Sequence, residues 1–122
     1  MVTDTTFWVD LERERRQRRR GDAHQFLARH RAQTLAVSII TSGELAVGFQ
    51  TPHELERLLR RVRVIMLHKH VAWEASRIRR EVAESLNQND YWIAATARAS
   101  GQRLVSNDAD YDRVPRLMRL RY

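Results

Sequence analysis

Leu35-Ala36-Val37-Ser38-Ile39-Ile40 is a continuous apolar run of strand length, and it leads directly into Thr41-Ser42-Gly43-Glu44, where a helical pattern opens through Leu45, Ala46 and Phe49. A strand with no polar alternation is one covered on both faces, as in a parallel sheet flanked by helices. The same arrangement recurs along the chain. Met1 to Asp4 reads as a short strand entering a helix whose apolar face is Phe7, Trp8 and Leu11; Arg63 to Leu67 precedes a helix from about Val71 to Leu86; and Arg103-Leu104-Val105-Ser106 ends on the turn Asn107-Asp108. Between these lie a helix anchored by Phe26 and Leu27, one opened by Thr51-Pro52-His53-Glu54 and continued by Leu55, Leu58 and Leu59, and one from Tyr91 to Ser100 that stops at Gly101. Strands separated by helices pair in parallel through crossover connections, which predicts a three-layer α/β/α domain on a central parallel sheet.

With 122 residues, 43% of them hydrophobic, the chain has material for one core and one domain, residues 1–122. The absence of cysteine excludes disulfide frameworks, thiolate zinc sites and cysteine nucleophiles. No stretch approaches the roughly 18 apolar residues of a membrane span. The N-terminus also lacks the basic-then-apolar layout of a signal peptide, so a cytoplasmic protein with no membrane partner is expected. The formal charge of +7 comes from 21 arginines and the single Lys69 against 15 acids. Arginine forks suit phosphate, so the partner is a polyanion or an acidic protein.

Against that basic background stand four acids, Asp4, Glu44, Asp90 and Asp108, each at the end of an apolar run or in the first turn of a helical pattern. A parallel sheet gathers its strand ends along one edge, where carboxylates distant in sequence can meet in a pocket for a divalent metal. An acidic metal pocket in a cationic surface is what a nuclease needs. Each acid also has a plainer reading. Thr41-x-x-Glu44 is a capping box by itself; Asp90 suits the first turn of a helix, with Asn89 as its cap; and Asp108-Ala109-Asp110-Tyr111-Asp112 reads as a solvated turn. A calcium loop is excluded there, because Arg113 and Arg119 occupy the positions that need glycine and glutamate. Asp4 interrupts what would otherwise be core, and a buried carboxylate needs a partner.

The surroundings of the four acids resemble the PIN-domain ribonucleases, most closely the VapC-type toxins of bacterial toxin–antitoxin pairs. The matching segments are Asp4-Thr5-Thr6-Phe7-Trp8-Val9-Asp10-Leu11, Ser42-Gly43-Glu44-Leu45-Ala46-Val47-Gly48, Asn89-Asp90-Tyr91-Trp92-Ile93-Ala94-Ala95-Thr96-Ala97 and Leu104-Val105-Ser106-Asn107-Asp108-Ala109-Asp110-Tyr111. They cover essentially the whole chain, and the segments around Asp90 and Asp108 are the most specific. Thr6 stands where asparagine or serine is common, and the Ser85 to Asn89 connection is shortened. The resemblance implies a metal-dependent endoribonuclease with Asp4, Glu44, Asp90 and Asp108 as catalytic metal ligands for Mg²⁺ or Mn²⁺. It further implies Asp110 as a residue of the metal's outer shell or of a second metal, Thr6 and Ser106 as hydroxyl supports, an RNA substrate, a cognate antitoxin and a homodimer.

The run Arg13, Arg15, Arg16, Arg18, Arg19 and Arg20 reads as an exposed surface whose density suits RNA phosphates or an acidic antitoxin tail. None of the five histidines has zinc spacing, and Trp8, Trp73 and Trp92 read as core or dimer contacts. Two readings compete with the nuclease: a basic RNA- or protein-binding module on the same fold with weak or no catalysis, and an interaction protein for an acidic partner. Saturable Mg²⁺ or Mn²⁺ binding is required only by the nuclease.

Overall fold

Two residues set the two faces of the sheet. In a computed structural model, which describes residues 1–83 and 86–122, β1 (Val2–Thr3) lies at the centre, between β2 (Ala36–Ser38) and β4 (Leu104–Val105). β3 (Arg63–Ile65) extends the sheet beyond β2 and β5 (Arg119–Leu120) extends it beyond β4, giving the order β3-β2-β1-β4-β5 with every pair parallel. Val2 stands beside Ala36 and Leu104, and Thr3 beside Val37 and Val105. Because side chains alternate along a strand, Val2, Ala36 and Leu104 face one layer while Val37 and Val105 face the other.

The first layer is α5 (Lys69–Val82) and α6 (Gln88–Ala99). Val71, Ala75 and Ile78 recur at helical spacing and pack with Tyr91, Ile93, Ala94 and Ala97. Arg98, almost wholly buried, ties the pair together by bonding Glu74 Oε2 at 2.6 Å, Glu81 Oε2 at 2.5 Å and the Pro115 carbonyl at 3.1 Å. The second layer holds α1 (Thr5–Arg16), α2 (Asp22–Arg29), α3 (Ile39–Ala46) and α4 (Pro52–Leu59), around Phe7, Trp8, Leu11, Phe26, Leu45 and Leu59. This is the expected three-layer α/β/α domain. The buried Thr3 hydroxyl is satisfied on both sides, accepting from Trp8 Nε1 at 2.7 Å and donating to the Ala36 carbonyl at 3.2 Å. None of the described helices is long and apolar enough to cross a membrane.

Several boundaries differ from expectation. β2 ends at Ser38, whose hydroxyl accepts from the Ile40 N–H at 3.2 Å, so Ile39 and Ile40 are helical and Thr41 lies inside α3. The Thr41–Glu44 capping box therefore does not form, and the buried Thr41 hydroxyl has no partner among the described residues. α6 begins at Gln88 instead of Tyr91, and its cap is Asn87, which accepts from the Asp90 N–H at 3.0 Å; Asn89 is free for another contact. α5 ends at Val82, with Ala83 left-handed. Residues 84 and 85, within the helix expected to reach Leu86 and at the start of the Ser85 to Asn89 connection, lie outside the described residues, and Leu86 itself is not helical. β5 was not expected. Thr51-Pro52-His53-Glu54 opens α4 as read, with Glu54 Oε2 accepting from the Thr51 N–H at 3.2 Å and the Gln50 N–H at 2.9 Å.

Candidate active site

The chain fills one side of the sheet through β2 and β3, then returns across the centre to add β4 and β5. The reversal lies between β1 and β4, and in open α/β sheets the crevice beyond the carboxyl ends of such strands is where ligands bind. Asp4 leaves β1 at this point. Its N–H bonds the Val105 carbonyl at 3.1 Å, and its Oδ1 accepts from the Phe7 N–H at 2.9 Å, capping α1. Only 3% of it is exposed. Asp108 follows β4, donating its N–H to Ser106 Oγ at 3.0 Å and accepting from the Asp110 N–H at 2.8 Å to cap the 3-10 helix Ala109–Arg113.

α6 brings Asp90 to the same edge, where Oδ1 accepts from the Tyr111 hydroxyl at 2.8 Å. α3 brings Glu44, which accepts from the Thr5 hydroxyl on Oε2 and from Asn89 Nδ2 at 2.7 Å on Oε1. All four acids line one cleft of ≈ 300 Å³, together with Thr5, Thr6 and Tyr111.

Crowding of carboxylates shows in their protonation. Burial pushes the Asp4 carboxyl up to about 6; the Ser106 hydroxyl and the Phe7 N–H oppose this, while the charges of Asp90 and Asp108 add to it. Asp90 is raised as well, first by burial, then against the Tyr111 hydrogen bond by Asp108 and Glu44. Burial and the adjacent Asp90 hold the Tyr111 phenol far above its ordinary range, so it stays a donor.

Hard oxygens that repel one another are the donor set a divalent cation of the Mg²⁺ type relieves. Among the described residues no three potential ligands form a ready-made cage. Mg²⁺ commonly takes one or two carboxylates directly and keeps its waters, so four spread acids around a cleft fit it.

The remaining expected residues are distributed as follows. Ser106 is buried and supports Asp4, and Thr6 is exposed at the cleft. Asp110 is half-exposed, lies off the cleft lining and faces Arg113 at 3.4 Å. Arg13, Arg15, Arg16, Arg18, Arg19 and Arg20 are at the far end of α1 and in the turn after it, and none lines the acidic cleft. Arg13 bonds Asp10 and Arg15 bonds Glu12. Trp8 is buried and Trp92 half-buried, whereas Trp73 is 60% exposed beneath the Arg80 guanidinium. Sequence reasoning missed Thr5, Asn89 and Tyr111 as site residues. Thr5 and Asn89 adjoin Asp4 and Asp90, which is the one signal available for them; Tyr111 had none.

A doubly wound parallel sheet with acids gathered at its switch point defines a class of small α/β domains with an acidic cleft at the strand ends. The chain belongs to the PIN-domain family, whose model, described as "PIN domain", matches residues 1–117. Its fold is similar to that of VapBC2 from Rickettsia felis, solved bound to a DNA fragment from its promoter (TM-score 0.77, 22% identity, 98% of this chain and 96% of that one). It is similar also to a toxin–antitoxin complex from Klebsiella pneumoniae (0.74, 27%, 96% and 94%) and to VapBC-1 from nontypeable Haemophilus influenzae (0.79, 21%, 98% and 96%). No curated protein sequence matches the chain.

Proposed function

We propose that this PIN domain is a metal-dependent endoribonuclease and the VapC-type toxin of a toxin–antitoxin pair, acting in the cytoplasm. The observation that carries the reading is the convergence of Asp4, Glu44, Asp90 and Asp108 on one cleft in a chain of charge +7. Four carboxylates alone would repel a phosphodiester, so the cleft suits nucleic acid only with a cation in it. Mg²⁺ or Mn²⁺, held by Asp4, Asp90 and Asp108 with Glu44 beside them, would supply Lewis-acid activation of water and offset charge on the phosphorus centre. The protein's own part is orientation. The Phe7 N–H fixes Asp4, the Tyr111 hydroxyl fixes Asp90, and Thr5 with Asn89 holds both oxygens of Glu44.

The similarity to the Klebsiella toxin–antitoxin complex and to the Rickettsia and Haemophilus VapBC structures supports an antitoxin partner. A groove of ≈ 420 Å³ between α1, α3 and α4 has an apolar floor of Trp8, Val9, Leu45 and Phe49, rimmed by Arg13 and Arg16. It suits an amphipathic acidic segment. Met66 and Trp73, each about 60% exposed, with Val64 and Leu67 leave apolar side chains uncovered on and after edge strand β3 and early in α5, which supports a homodimer.

The test is Mn²⁺ titration of the purified protein together with cleavage of a mixed-sequence RNA. Saturable binding and Mn²⁺-dependent cleavage, both lost in Asp4→Asn, are expected. RNA bound but uncut at saturating Mn²⁺ would overturn the catalytic reading in favour of a binding module.

A further inference from the structure

Asp90 is reached by a hydroxyl that comes from the segment carrying another of the acids. Tyr111 lies in the 3-10 helix Ala109–Arg113, which Asp108 itself caps, and its ring is 1% exposed within the core beneath α6. With the ring buried, its hydroxyl reaches Asp90 Oδ1 and donates to it at 2.8 Å. Among the described residues no other side chain donates to this carboxylate. Both Tyr111 and Asp90 line the acidic cleft.

We infer that Tyr111 is a positioning residue for the metal-binding carboxylates: its hydroxyl occupies Oδ1 of Asp90, leaving Oδ2 for the cleft, and couples Asp90 to the segment that places Asp108. This rests on the nuclease reading of the cleft. Two consequences follow from the geometry. Asp90 offers one oxygen, so a cation there meets a single-oxygen ligand whose second oxygen is already hydrogen-bonded, the usual manner in which outer partners orient a ligating carboxylate. Also, α6 and the 3-10 helix flank β4 in the chain, and the Tyr111–Asp90 bond, across 21 residues, is a direct polar link between them at the site. Loss of the hydroxyl frees the carboxylate to rotate without opening a cavity.

The experiment compares wild type, Tyr111→Phe, Asp90→Asn and the double variant, with Mn²⁺ as the probe. Mn²⁺ affinity is measured on the protein alone by electron paramagnetic resonance, and RNA cleavage is measured across Mn²⁺ concentration. Tyr111→Phe keeps the ring, and unchanged circular dichroism and melting are expected. Its Mn²⁺ affinity is expected to fall on the order of tenfold, at the lower end of what loss of an outer partner costs. Cleavage should recover as Mn²⁺ is raised. In the Asp90→Asn background, Tyr111→Phe should change Mn²⁺ affinity no further, because the hydroxyl acts through Asp90.

Equal Mn²⁺ affinity in wild type and Tyr111→Phe would overturn the inference while leaving the nuclease reading intact. An equal further loss in the Asp90→Asn background would also overturn it. A wild type with no saturable Mn²⁺ site, or one whose binding survives Asp90→Asn unchanged, would overturn the reading of the cleft and this assignment with it. If Tyr111→Phe melts lower, Mn²⁺ affinity is compared at a temperature at which all four proteins are folded, and the same comparison in the Asp90→Asn background decides the outcome.

Discussion

Asp4 does two jobs at one position, and they respond differently to substitution. Asn is as good an N-cap as Asp, so Asp4→Asn keeps the start of α1 while removing the charge from the cleft. We expect it, like Asp90→Asn, to abolish RNA cleavage and leave the circular dichroism spectrum unchanged. The sign of the stability effect follows from the raised pKa. The folded protein holds the Asp4 proton up to about pH 6, whereas the unfolded chain releases it near ~4. The stabilisation from protonated Asp4 is complete below about pH 4 and is lost as pH rises through about 6, leaving a penalty on the order of 2 to 3 kcal/mol at pH 7. Metal-free Asp4→Asn should therefore melt higher than wild type at pH 7, and the two should converge near pH 4. Thermal melts in chelator check this; a lower melting temperature for the variant at pH 7 would contradict the burial of an ionised Asp4. Added Mn²⁺ should raise the wild-type midpoint and not that of the variant. Asp110→Asn should reduce cleavage less than Asp108→Asn, since Asp110 faces Arg113 away from the cleft. At this scale the sequence was informative about which acids meet, because Asp4 and Asp108 follow short apolar runs and Glu44 and Asp90 fall within helical patterns that follow the strands. It was silent on what orients them, since Thr5–Glu44, Asn89–Glu44 and Tyr111–Asp90 are contacts that exist only once α1, α3, α6 and the 3-10 helix are docked.

At the scale of elements, the run from Arg13 to Arg20 reads as exposed and its arginines are, yet Glu14 in its midst turns inward and is 4% exposed. It accepts from the Ala23 N–H at 3.1 Å, the His24 N–H at 2.9 Å and meets His24 Nδ1 at 2.7 Å, so α1 caps α2, whose own Gly21 N-cap has no side chain to do it. Burial acts to raise the Glu14 pKa, but His24 and the two backbone donors outweigh it and leave it lowered. That stabilisation is present above the unfolded glutamate's pKa and is lost as pH falls through the lower folded value. Gly21 has an ordinary φ of −85°, but a Cβ there would lie 2.1 Å from Glu14 Oε1. Gly21→Ala should therefore cost roughly 1–3 kcal/mol by displacing the cap and leaving buried donors unpaired. Urea denaturation of the variant decides it, and an unchanged midpoint would show that Glu14 is not the cap. The helices were legible from their apolar spacing, but two strand limits were not. An apolar run does not say where strand becomes helix, which is why Ser38 displaced Thr41 as the cap. Nor does Arg119-Leu120, a two-residue pair followed by Arg121, look like a strand. Its arginine is nearly buried only because Asp112 and the Ser106 carbonyl receive its guanidinium.

For the whole molecule, charge and assembly are the measurable properties. Replacing Arg13, Arg16 and Arg19 by Gln should leave cleavage near wild type and weaken antitoxin neutralisation, because these arginines stand apart from the acidic cleft. If they instead hold RNA, the salt dependence of binding should flatten by roughly 0.7 per lost contact for a single strand. Light scattering at micromolar concentration should show a dimer, and Trp73→Glu a monomer of unchanged fold. A wild-type monomer would remove the homodimer from the proposal. The topology also bears on the birth of the protein. β1 leaves the ribosome well before its neighbour β4 and the acid beyond it, which are made some hundred residues later. At roughly 5–20 residues per second, synthesis leaves Asp4 without Asp90 and Asp108 for about 5 to 20 s. The β1–β4 pair is thus the one whose strands lie farthest apart in sequence, and a nascent chain carries no assembled cleft until Asp108 has emerged.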